Sequence, residues 1–289
     1  MTSGADSIPA ISETEASGDI AALYEDLRDT LGVPFVNLIW RHLATIPGGL
    51  AFVWTLVRPL YVGGELDRVS AETATRVSLP SLAPLPDFVW ESLAITGEDR
   101  RTIAALIESY NHANGVNFQA LVVAVSVLRD GLPSPSQSAV LSDHHRRISS
   151  AQTLPPLPGL SDLSPHVRAL VRQLDQLGRL GQSAAIASLY RHLAHWPAFL
   201  ATAYAALTPL HRIGALAKAQ EEVIAFGREQ CPHLARLTNQ DLPFISPASK
   251  AAVFYALNEF TGLMIGRMIV MGKAMNMLIS DGSPARIGS

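Results

Sequence analysis

The chain has 289 residues, 48% of them hydrophobic and 16% charged, with 22 Lys and Arg against 25 Asp and Glu for a formal charge of -3. That length and apolar content suffice to bury a core and exclude a wholly disordered chain, while the slight negative balance supplies no electrostatic drive toward nucleic acid. A lone cysteine, Cys231, excludes an internal disulfide, a C-x-x-C redox pair and a thiolate zinc cage.

Residues 1–20 carry acids and turn formers where a secretory signal needs a basic start and an apolar run, so a cytoplasmic location is expected. Asp19 is a good N-cap for a first helix, in which Ile20, Leu23, Leu27 and Leu31 recur at helical spacing. A second long helix is expected over about 99–128. Residues 131–165 are rich in Pro and Ser, contain HHRR at 144–147, and read as a linker. Beyond it Ser164-Pro165 starts a helix with Val167, Leu170, Val171 and Leu174 on one side. Cys231 precedes a proline, which predicts a loop or a helix start there. Ser246-Pro247 opens a long helix ending near Ile279. The most apolar stretches are 121–128, too short to span a bilayer, and 260–278, interrupted by Arg267 and Lys273; both read as core helices, and no membrane partner is expected. No alternating strand pattern is present.

Internal similarity is the most informative feature. An offset of 150 lays RHLATIPGGLAFVWTLVRPLYV (41–62) over RHLAHWPAFLATAYAALTPLHR (191–212), matching Arg41 with Arg191, His42 with His192, Pro47 with Pro197 and Pro59 with Pro209. Weaker matches pair DTLG (29–32) with DQLG (175–178), and AALIESYNHANG (104–115) with AAVFYALNEFTG (251–262). The expected fold class is all-α. Two pseudo-symmetric helical repeats, 1–131 and 166–280, flank the 132–165 linker and precede a 281–289 tail, pack as one domain and leave a site in the crevice between them.

Polar residues on apolar helices are the candidates for that site. Asn111, Asn114 and Asn117 recur every three positions and spiral along roughly one face, and an inward-facing amide without a partner costs about 1–3 kcal/mol. Glu259 and Arg267 read as the solvated edge of the late helix. Met264, Met268, Met271 and Met275 read as adaptable core. Among the repeat-matched residues, His42, His192, Arg41 and Arg191 read as structural. No H-x-x-x-H or H-E-x-x-H arrangement points to a metal, no G-x-S-x-G to a nucleophile, and no Gly-rich phosphate loop to a nucleotide, so no cofactor is expected.

The runs SGDIAALYEDLRDTLGVPF, RHLATIPGGL, LAPLP (82–86), YNHANG and IASLYRHLAHWP resemble, in order and spacing across nearly the whole chain, the group I 2-haloacid dehalogenases. The resemblance implies an all-α homodimer that removes halide from a small 2-halocarboxylic acid by direct attack of an activated water, with neither metal nor covalent intermediate. It implies that Asn114 positions that water and Ser188 holds the substrate carboxylate. Phe35, Leu38, Phe260, Thr261 and Met264 fall on pocket positions, while Asn117 and Leu257 replace tyrosines. The departure is at the general base: the family places an aspartate directly after the serine, and here Leu189 follows Ser188. A leucine accepts no proton, so activity is in doubt unless His112, His195 or Glu259 substitutes; the alternative is a non-dehalogenating relative that binds or otherwise transforms a small apolar carboxylate. A helical peroxidase or decarboxylase of the alkylhydroperoxidase type falls behind for want of its C-x-x-C.

Overall fold

The computed structural model describes residues 8–134 and 154–279, and every regular element among them is helical. The His144-His145 pair, the middle of the linker and the tail lie outside the described residues. The first segment holds α1 (Gly18–Leu31), α2 (Leu38–Leu43), α3 (Gly49–Val62), α4 (Glu65–Arg76), α5 (Asp87–Ser92) and α6 (Gly97–Asp130). The second holds α7 (Pro165–Gln176), α8 (Ser188–His192), α9 (Pro197–Arg212) and α10 (Ala215–Leu234). A final long helix is divided into α11 (Pro247–Glu259), a wider π-helical stretch (Phe260–Ile265) and α12 (Gly266–Ile279).

Local chemistry sets the ends of these elements. Thr96 and Asp99 form a capping box at the start of α6, each side chain receiving the other's backbone N–H at 3.1 and 3.0 Å. Ser164 and Ser246 accept from Val167 N and Ser249 N, with Pro165 and Pro247 at the first helical position of α7 and α11. The first helix instead begins two residues earlier than expected: Ser17 occupies its N-cap and Asp19 lies in the first turn, where its charge still favours the positive helix end. Cys231 and Pro232 sit inside α10 rather than in a loop, because one missing N–H near the end of a helix otherwise held by Leu234, Phe226 and Val223 in the core is tolerated.

The segments matched by the 150-residue offset form like elements. Each short helix, α2 or α8, carries a buried arginine, and each leads into a longer helix with a proline in its interior, Pro59 or Pro209. Buried apolar side chains from both segments form one continuous core. Its axis is α6, which packs on α3, α4, α10, α11 and α12. The span Pro247–Ile279 is long and apolar enough to cross a membrane, yet 72% of its most apolar window is buried within this fold.

The two long helices are joined where Asn111 Nδ2 donates to the Gly272 carbonyl at 3.3 Å. A Cβ at Gly272 would overlap Asn111 Oδ1. Gly272→Ala is therefore expected to lower folding stability by about 1–3 kcal/mol in urea unfolding, with much of the loss recovered when Asn111→Ala removes the clash.

Arg267 corrects the solvated-edge reading of the late helix. Its guanidinium is buried, pairs with Asp175 of α7 at 2.9 Å, and also reaches the Asp175 backbone carbonyl. Glu259, to which the sequence spacing related it, instead accepts from Ser183 at 3.0 Å.

Candidate active site

Four pieces of chain close a small, mostly apolar pocket. α6 contributes Tyr110, Asn114 and Asn117; the start of α2 contributes Asn37, Leu38 and Ile39; Ala187, Ser188 and Leu189 come from the start of α8; Phe260, Met264 and Ile265 come from the π-helical stretch, followed by Met268. Both sequence segments therefore line it. Tyr110, Asn114 and Asn117 lie at i, i+4 and i+7, the spacing that puts side chains on one helix face. The π-helical stretch widens the turn that carries Phe260 and Met264 and frees backbone carbonyls, and the buried Gln220 of α10 donates to two of them, Gly262 O at 3.2 Å and Leu263 O at 3.4 Å.

Two asparagines in the wall behave differently. Asn117 is held by protein partners: its Oδ1 accepts from Trp40 Nε1 at 3.1 Å and from the Tyr61 hydroxyl at 2.7 Å, while its Nδ2 donates to Asn37 Oδ1 at 3.1 Å. It therefore fixes Asn37 and knits α6 to α2 and α3. Asn114 is only 7% exposed and lines the pocket, yet its amide makes no hydrogen bond among the described residues. Its amide is thus left to meet a water or a ligand group in the pocket. No carboxylate, amine or imidazole lines the pocket among the described residues, and Leu189 is 1% exposed in its wall.

A larger cavity of about 750 Å³ adjoins it, with Tyr110 and Ser188 shared between the two. Phe35 stacks on Tyr110 there at 4.4 Å between ring centres. Two buried arginines face that side. Arg41 donates to Val36 O at 3.1 Å and to Ser188 Oγ at 3.4 Å, and Arg191 grips Pro158 O with two N–H groups at 2.9 and 2.7 Å. Burial holds the Tyr110 hydroxyl well above the usual phenol range and lowers His192 to about 4.

The structure brings together Leu38, Asn114, Asn117, Ser188, Leu189, Phe260 and Met264 of the residues expected at the site. Phe35 joins the adjoining cavity instead. Leu257 and Thr261 do not reach the pocket: Leu257 is fully buried in the core, and Thr261, whose hydroxyl bonds the Leu257 carbonyl, borders a separate cavity beside Phe118 and Cys231. The asparagines do not share one face either. Steps of three residues drift by roughly 60° each around a helix of 3.6 residues per turn, so Asn111 turns to α12 while Asn117 turns to α2. All three substitute bases lie elsewhere: His112 bonds Leu31 O, the exposed His195 bonds Pro156 O, and Glu259 takes the Ser183 hydroxyl. Sequence reasoning missed Asn37, Ile39, Tyr110, Ile265 and Met268. Tyr110 was findable, since it lies one turn before Asn114.

No family model matches the chain. A configuration-inverting 2-haloacid dehalogenase of Alcaligenes xylosoxydans xylosoxydans is 27% identical over 202 residues, covering 66% of this chain and 65% of that protein, so the match spans just under two thirds of the relative's length. Among solved structures, a D-2-haloacid dehalogenase mutant in complex with D-2-CPA superposes with a TM-score of 0.76 at 16% identity, over 93% of this chain and 94% of that one. A second mutant structure gives 0.75 at 18% identity over 92% and 94%, and the D-2-haloacid dehalogenase complex with L-LA gives 0.70 at 18% over 93% and 96%. The chain thus has the all-α fold of D-2-haloacid dehalogenase, and its likeness in sequence to a configuration-inverting relative supports the family resemblance carried by its own residues.

Proposed function

We propose that this protein hydrolyses a small 2-substituted carboxylic acid by direct attack of a water held by Asn114, without cofactor. The observation that carries the reading is Asn114 itself, a largely buried residue whose amide has no protein partner among the described residues, in a pocket walled by Leu38, Phe260, Met264 and Met268. The 2-substituent enters this apolar end, and the carboxylate stays near Ser188, where the pocket meets the larger cavity and the Arg41 guanidinium stands behind the serine. Direct displacement by water inverts the carbon it attacks, in keeping with the name of the relative. A homodimer and a cytoplasmic location belong to the same reading, and light scattering on the purified protein checks the first.

The test is halide release from a panel of D- and L-2-haloacids, with binding measured in parallel by calorimetry. Asn114→Ala is expected to lower kcat about 10²-fold, the scale of a misplaced nucleophile, while melting within a few degrees of the native protein. Halide release unchanged in folded Asn114→Ala sinks the role assigned to that residue. A second reading, binding without dehalogenation, is favoured by Leu189, which seals the wall where the resemblance places a base. Tight binding with no halide released selects it.

A further inference from the structure

Hydrogen bonds link Tyr110 of α6 through His192 of α8 to the segment before α7. Arg41 donates to Ser188 Oγ at 3.4 Å, and the Tyr110 hydroxyl lies 2.9 Å from His192 Nδ1. The other ring nitrogen, Nε2, lies 3.0 Å from the Pro155 carbonyl oxygen. A carbonyl oxygen only accepts, so Nε2 carries the ring proton, Nδ1 is bare, and Tyr110 donates to it. With its proton given to His192, the Tyr110 oxygen keeps its lone pairs for the pocket it lines. Asn114 follows it by one helical turn and lines the same pocket.

We propose that Tyr110 takes the proton of the attacking water and passes its own to His192, the pair replacing the carboxylate that position 189 lacks. The inference rests on the hydrolytic reading above. As the water oxygen bonds to C2, the C2–halogen bond breaks and the halide leaves with the bonding pair. One water proton moves to the Tyr110 oxygen while the Tyr110 proton moves to Nδ1, leaving the hydroxy acid and an imidazolium. His192 returns its proton to solvent through the larger cavity, which it lines.

Basicity suits the task. Burial is the main cause of the lowered His192 pKa; His195, Arg191 and Arg41 push the same way, and the bond to Pro155 opposes them. At about 4, His192 is neutral at pH 7 and about as basic as an ordinary carboxylate. Tyr110, whose hydroxyl burial keeps protonated and which Arg41 and Glu13 face with opposite signs, conducts the proton without ionising first.

Tyr110→Phe and His192→Gln test the relay; glutamine keeps an acceptor for the tyrosine but takes up no proton. With 2-chloropropionate, both variants are expected to lose about 10²-fold in kcat with KM changed little. Since only unprotonated His192 accepts, wild-type kcat should fall as pH drops through its pKa, and that acid limb should vanish in His192→Gln, with circular dichroism checking the fold at each pH. Wild-type activity that survives both substitutions overturns the relay and leaves the hydrolytic reading intact. Wild-type binding without halide release overturns the hydrolytic reading, and the relay with it. A loss confined to KM, or an acid limb that persists in His192→Gln, also overturns the relay.

Discussion

Replacing Asp175 with alanine is expected to cost about 3–5 kcal/mol of folding stability, because it strands a buried cation. Arg267 and Asp175 are 2% and 1% exposed at their side chains, and Arg179 reaches the other carboxylate oxygen. The carboxylate thus neutralises two guanidiniums, one of them wholly inside the core. It also accepts from the Ala187 backbone N–H at 3.3 Å, which ties down the residue before Ser188 and Leu189. Urea unfolding should show a lower midpoint, and halide release should fall as the start of α8 loosens. Asp175→Asn keeps the shape but not the charge and should fall between. Asp175→Ala combined with Arg267→Met should recover much of the loss, since replacing both partners by packed apolar groups removes the unpaired charge. A double variant as unstable as Asp175→Ala alone would mean that the carboxylate's backbone bonds, rather than the ion pair, carry the effect.

Residue chemistry made the helices legible and hid this ion pair. Caps such as Ser164-Pro165 and Ser246-Pro247 act within a few residues, so the sequence alone places them, and apolar runs such as 121–128 give their burial away. Arg267 belongs to a pair 92 residues apart in sequence, and nothing local distinguishes it from an arginine at a solvated edge. The same distance rule divides the site. Asn114, Ser188, Leu38 and Met264 were legible through a resemblance that runs the length of the chain. Asn37 was not, because its place depends on Asn117, which in turn depends on Trp40 and Tyr61. Leu257 and Thr261 show the converse limit. Phe260 and Met264, carried over in the same register, line the pocket, whereas Leu257 packs into the core and Thr261 bonds back to its carbonyl.

Leu189→Asp should raise halide release by about 10²–10⁴-fold when made in Tyr110→Phe, the range a positioned base contributes. Leu189 borders the same pocket as Asn114, so a carboxylate there needs no relay to reach a water bound to the amide. In the otherwise native chain the gain should be smaller, because Tyr110 and His192 already remove the proton and two routes to one proton do not add. The pH profile separates the routes. Desolvation raises the pKa of a carboxylate placed at a position 1% exposed, so the acid limb should move above the ordinary carboxylate range, and the rate should fall as pH drops through it. The substitution is also expected to lower the melting temperature, since it replaces a core leucine with a group that ionises. Leu189→Asn makes a similar space and polarity without a base. An equal gain from Leu189→Asn would show that volume or hydration limits the reaction rather than proton transfer. No gain from Leu189→Asp in a folded, ligand-binding protein would show that position 189 does not address the water at Asn114.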